Sequence, residues 1–152
     1  MKLQYSVLPA SVDYRRPGYD ELRAMFDKVS ADYAEAQFPG PDATPSGHAD
    51  TDMHAFALVQ LAEGAVGMVA DEFRELFAHK RRLASFEEML GFARRYPDIQ
   101  RQVRIVAPGT SIKVDDDECV PVLEGDRDTR SLSLIEKSVA LTELDCLLTV
   151  LL

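Results

Sequence analysis

The densest set of side chains able to do chemistry lies in the stretch GHADTDMHA, where His48, Asp50, Asp52 and His54 recur at every second position. In an extended segment residues two apart point the same way, so two imidazoles and two carboxylates could converge on a divalent metal. That arrangement would suit a small metal-dependent hydrolase. The competing reading is structural: Asp50, Thr51 and Asp52 cap the start of a helix, and a helix beginning at Asp52 turns Asp52 and His54 away from the face His48 occupies. On this second reading no cofactor is expected.

The other reactive types are sparse. His79 has no Ser, Cys or Asp neighbour arranged to use it as a base and reads as a cation near a helix end. Cys119 and Cys146 are far apart and belong to no CxxC pattern, so they read as small buried hydrophobes and not as a disulfide or a nucleophile. There is no P-loop, no GxGxxG, no GxSxG elbow, no HExxH and no zinc spacing of Cys and His. No segment names a reaction.

Acidic residues are concentrated in Asp115, Asp116, Asp117 and Glu118, followed by Glu124, Asp126 and Asp128. An EF-hand loop starting at Asp115 needs Gly at its sixth position, where Val120 stands, so these acids read as a contact surface on hairpin tips. The stretch 74–104 has the opposite balance: Arg74, Lys80, Arg81, Arg82, Arg94, Arg95, Arg101 and Arg104 face only Glu75, Glu87, Glu88 and Asp98. A bipolar molecule is the expectation, one able to steer a charged partner.

Across 152 residues the formal charge is −9, and 46% of the side chains are hydrophobic. That length predicts a single domain, 1–152, able to bury a core without metal or disulfide staples. Net acidity disfavours nucleic acid and anionic membranes as partners and favours a protein with a basic surface; self-association is left open. The opening MKLQYSVLPAS lacks the apolar stretch of a secretory signal, and no segment approaches the roughly 18 consecutive apolar residues of a membrane span. A cytoplasmic location is the expectation.

The elements that would position these residues read as an α+β domain, with three to four helices in the N-terminal two-thirds packed on a mainly antiparallel sheet. The sheet is expected from the C-terminal third plus an N-terminal strand at residues 2–8, which Pro9 ends. A first helix is predicted from Tyr19 or Asp20 to Gln37, on the face Leu22, Met25, Phe26, Val29, Tyr33 and Ala36. The central spine is a long apolar helix over 52–83, kinked or broken near Gly64 and Gly67 and ended by Lys80, Arg81 and Arg82. Between them, 38–51 is a proline-rich connection. Ser85 followed by Glu88 is a capping-box signature for a short helix stopped by Pro97. Strand-like runs follow at 103–106, 111–114, 119–123, 132–135 and 146–152. Taken together, these readings predict a non-catalytic cytosolic interaction protein of the inhibitor, immunity or adaptor kind, binding through its acidic loops.

Overall fold

The computed structural model describes residues 2–39, 51–61, 73 and 80–152, with side chains from Val7 in the first stretch and from Asp52 in the second. In chain order the elements are β1 (Lys2–Asp13), α1 (Tyr19–Met25), β2 (Lys28–Val29), β3 (Thr51–Gln60), β4 (Arg81–Leu83), α2 (Phe86–Arg95), β5 (Arg104–Val106), β6 (Ile112–Val114), β7 (Asp117–Gly125), β8 (Arg130–Glu136) and β9 (Asp145–Leu151). A short 3-10 turn, Ala31–Ala34, follows β2, and another, Ile99–Arg101, precedes β5.

The strands form one nine-stranded sheet ordered β1-β3-β9-β5-β7-β8-β2, with β4 also on β9 and β6 also on β7. β9 organises it. Antiparallel β3 lies along one side of β9, while parallel β5 pairs with its first half and antiparallel β4 with its end on the other side. The segment CLLTVL is apolar without alternation because a central strand has both faces covered. Cys146, Leu148 and Val150 enter one core with Phe56, Leu58, Phe86, Phe92 and Ile105, and Leu147 enters a second with Leu61, Phe73, Val106, Val120 and Val122.

The expected three to four helices on a mainly antiparallel sheet are therefore replaced by a large mixed sheet with two α-helices among the described residues. The largest correction concerns the spine. Residues 52–60 are strand, and Phe56, Ala57, Leu58 and Val59 are all buried because β3 is flanked by β1 and β9 and covered on both faces. A strand buried on both faces is apolar at every position, so it satisfies a helical template as easily as an extended one. Arg81 and Arg82, expected at a helix end, lie in β4. The predicted kink at Gly64 and Gly67 and the 40–50 part of the connection fall outside the described residues.

The first helix is also shorter than its periodicity implies. It stops at Met25, because the backbone after it is captured by the edge of β8: Asp27 N–H donates to Arg130 O at 2.9 Å and Ser30 N–H to Leu132 O at 2.9 Å. Leu22, Phe26 and Tyr33 still reach the core, but from three different local conformations. β1 runs through Pro9 instead of ending there. Pro9 O turns away from β3 and accepts from Tyr96 Oη at 2.6 Å, so the N–H that proline lacks would have faced outward, where no ladder bond is missed.

α2 agrees with its sequence signature. Ser85 Oγ accepts from Glu88 N–H while the Glu88 carboxylate accepts from Ser85 N–H, both halves of the capping box. The helix lies on β1 at close range: a Cβ on Gly91 would sit 2.7 Å from Ser11 O. Helix and hydrogen bond together cover the outer side of β1 near Pro9 and Ser11, a common way of closing a sheet edge. Among the described residues no helix is long and apolar enough to cross a membrane.

Candidate functional site

The first turn of α2, the end of β1, β3 and β4 meet around Glu88, whose side chain is 0% exposed. Arg82 holds it bidentately, with Nη1 at 2.7 Å from Oε1 and Nη2 at 2.5 Å from Oε2. Tyr14, just past β1, donates its hydroxyl to Glu88 Oε2 at 2.7 Å. The single Tyr14 proton is thereby used, so its oxygen accepts from His54 Nε2 at 2.7 Å, which places a proton on that ring nitrogen. Asp52 and His54 are two apart on a strand and share a side of it; Asp52 Oδ2 lies 3.6 Å from His54 Nε2.

The electrostatics follow from these bonds. Burial by itself would push the Glu88 carboxyl up, but the Arg82 fork, the Ser85 N–H and the Tyr14 hydroxyl outweigh it and hold Glu88 below its ordinary value. Arg82 is raised, the ion pair overcoming the effect of burial. Burial, then the bond to Glu88, drive the Tyr14 hydroxyl far up, so it stays protonated as a donor. Next to this group, Arg16 Nε pairs with the buried Glu87 at 3.0 Å while its guanidinium lies over Phe38. The two glutamates of one helical turn thus each anchor a residue of the Tyr14–Arg16 loop.

This arrangement is a clamp. Every partner of Glu88 is a donor from the same chain, and the carboxylate's lone pairs are occupied by four bonds. Of the four metal candidates, the structure brings Asp52 and His54 together; His48 and Asp50 lie outside the described residues. Among the described residues no group of three or more His, Cys, Asp or Glu side chains is arranged to hold an ion. The chain matches no protein-family model, no curated protein and no solved structure.

The acidic candidates divide into two sites. Asp115 and Asp116 form the two-residue turn between β6 and β7, where Val114 pairs with Asp117 and Asp115 takes a φ of 53°, a conformation Asp tolerates better than most residues. Glu118 follows on β7, near Lys137 at 3.8 Å. Glu124, Asp126 and Asp128 belong to the opposite end of β7, a strand of nine residues, roughly 26 Å away at about 3.3 Å per residue. They do not form one surface with the first group.

At that far end the acids are internally engaged. Asp126 Oδ1 accepts from Asp128 N–H, Thr129 N–H and Thr129 Oγ1, bonds that lower its pKa. Glu124 accepts from Ser133 Oγ and stands 3.5 Å from Arg104, which also pairs with buried Asp145 at 3.0 Å. Arg101 donates to the carbonyls of Asp126 and Arg127. Basic residues from the 74–104 stretch are thus interleaved with this acidic run, while at the other tip acids outnumber bases among the described residues. There an open cleft of about 550 Å³ is lined by Asp116, Asp117, Glu118 and Glu136 with Lys113 and Lys137.

Both cysteines are free and buried. Burial, with Asp145 adding to it, pushes the Cys146 thiol up to about 11, and burial raises Cys119 as well. Sequence reasoning missed Tyr14, Arg16 and Arg82. The one signal that touched their site was the Ser85 to Glu88 capping box, which marks the glutamate as a cap and is silent on its three other donors.

Proposed function

We propose that this chain is a non-catalytic cytosolic protein-interaction module, of the inhibitor, immunity or adaptor type, that binds a partner with a basic surface through the 115–118 hairpin tip. The observation that carries the reading is the cleft at that tip: four carboxylates against two lysines, with Asp116, Asp117 and Glu118 exposed beside a turn set by Asp115. A tip held in one conformation loses little entropy on binding, and a concentrated negative field raises the encounter rate with a positive partner.

The test is capture from native lysate with three proteins: wild type, Asp116→Lys with Asp117→Lys, and Asp126→Lys with Asp128→Lys. The expected result is a partner held at low and moderate salt by wild type and by the 126/128 variant, and lost from the 116/117 variant. Light scattering that returns only a free monomer from lysate at both salt levels removes the interaction reading. Capture that survives reversal of Asp116 and Asp117 removes the tip as its site.

A further inference from the structure

A second open cleft, of about 560 Å³, lies where the C-terminal turn of α2 meets the end of β1, and its lining includes Ser11, Asp13, Arg15, Gly91, Arg94 and Arg95. We infer that this cleft binds a phosphate-bearing small molecule through Arg15, Arg94 and Arg95. It shares no lining residue with the acidic tip and does not depend on the function proposed above.

Three observations lead there. The first is what the arginines lack. Arg15, Arg16, Arg82, Arg101 and Arg104 each have a carboxylate within 4 Å. Arg94 has a weak sulfur acceptor, Met25 Sδ at 3.6 Å, and Arg95 lies over the Tyr96 ring at 5.0 Å; among the described residues neither forms an ion pair within 4 Å. Their forks are available to an anion. The second is placement: cations are favoured at a helix C-terminus, so the last turn of α2 holds both guanidiniums at the rim, with Glu21 the acid that Arg94 influences. The third is the floor. Gly91 packs directly against Ser11 O, so helix and strand touch there and both residues line the cleft.

Arg15 adds a third guanidinium that is already positioned. Its Nη2 bonds Glu21 at 2.9 Å, and its backbone N–H and Nε are near Asp13. The cleft therefore carries three guanidiniums against Asp13, with Glu21 on the far side of Arg15, in a molecule whose formal charge is −9. The planar fork of arginine fits two phosphate oxygens at once, and a compact dianion can engage the forks of Arg94 and Arg95 together. The volume lies within the usual range for small-molecule sites.

Calorimetric titration with inorganic pyrophosphate as the probe tests this. Saturable binding is expected for wild type, weakened about tenfold or more by Arg94→Gln with Arg95→Gln, since each charged bond lost contributes at least that factor. Arg127→Gln, on the exposed turn after β7, is expected to bind as wild type does, and so controls for total charge. Thermal unfolding of the double variant checks that it folds, which its exposed positions predict. The inference is overturned if pyrophosphate does not saturate, if Arg127→Gln weakens it equally, or if succinate or a hexaglutamate peptide binds as tightly as pyrophosphate.

Discussion

Two pairs of adjacent acids look alike in the sequence and are opposite in the molecule. Glu87 and Glu88 are both buried, each against an arginine, in the first turn of α2. Asp116 and Asp117 are exposed at the tip between β6 and β7. The difference is one of what surrounds the turn. α2 is laid on β1 and flanked by β4, so a carboxylate in its first turn meets Arg16, Arg82 and Tyr14; the two-residue hairpin shares an open cleft with Glu136 and Lys137 and its acids stay exposed. Buried charge is held here by partners from distant parts of the chain, whereas Asp116 and Asp117 stand in solvent.

The sharpest way to break the contrast is to neutralise one member of each pair. Glu88→Gln leaves Arg82 beside a neutral amide and should lower stability by about 3 kcal/mol, as expected when one partner of a buried ion pair is removed. Asp117→Asn, measured by the same urea unfolding, should be indistinguishable from wild type. The pH dependence separates them further. Because the folded carboxyl of Glu88 is held below its ordinary value of 4.5, its contribution is fully present above that value and is lost as pH falls through the folded one. The gap between wild type and Glu88→Gln should therefore be widest near neutrality and narrow in acid; a gap that widens in acid would contradict the clamp.

How much of this was legible follows from the number of sides on which each residue is covered. The runs at 103–106, 111–114, 119–123, 132–135 and 146–152 coincide closely with β5 to β9, and the capping box fixed α2, because those signals are local. The 52–60 stretch reads as helix in isolation because its information lies in its neighbours: the pairing with β1 and β9 explains why Phe56 to Val59 are all apolar. Reading it as helix then misplaced the candidate site. Asp52 and His54 share a strand face, and Arg82, taken for a helix terminator, is on β4 and reaches Glu88. Tyr14 lies 74 residues from its acceptor, a separation no spacing rule bridges. The split of the acids between two tips follows from β7 extending beyond the 119–123 run at both ends, over Asp117–Gly125.

Smaller changes probe how α2 delivers its glutamates. Gly91→Ala would raise helix propensity by about 1 kcal/mol. Against this, its Cβ would lie 2.7 Å from Ser11 O, a backbone atom of β1, and helix and strand must separate. A net loss of about 2 kcal/mol is expected by chemical denaturation, since overpacking of this kind typically costs 1–3 kcal/mol. Ser85→Ala removes one half of the capping box and should cost about 1 kcal/mol, while leaving the Arg82 fork in place. If Ser85→Ala were as damaging as Glu88→Gln, the cap and not the ion pair would be holding α2.

The least expected effect is on the other side of the comparison, and it is informative because it is small. Replacing Asp116 and Asp117 by lysine changes the local charge by four units in a cleft that already contains Lys113 and Lys137. Neither side chain is buried and the turn geometry is set at Asp115, so the melting temperature should move by no more than about 2 °C. Like-charge repulsion among four lysines is opposed by Glu118 and Glu136, which remain, and by salt, which screens exposed groups over about 10 Å. A much larger drop would mean that these acids are bonded into the fold as Glu87 and Glu88 are, and the tip would then be structure and not a contact surface. An unchanged melting temperature, with partner capture lost, would separate folding from binding along β7.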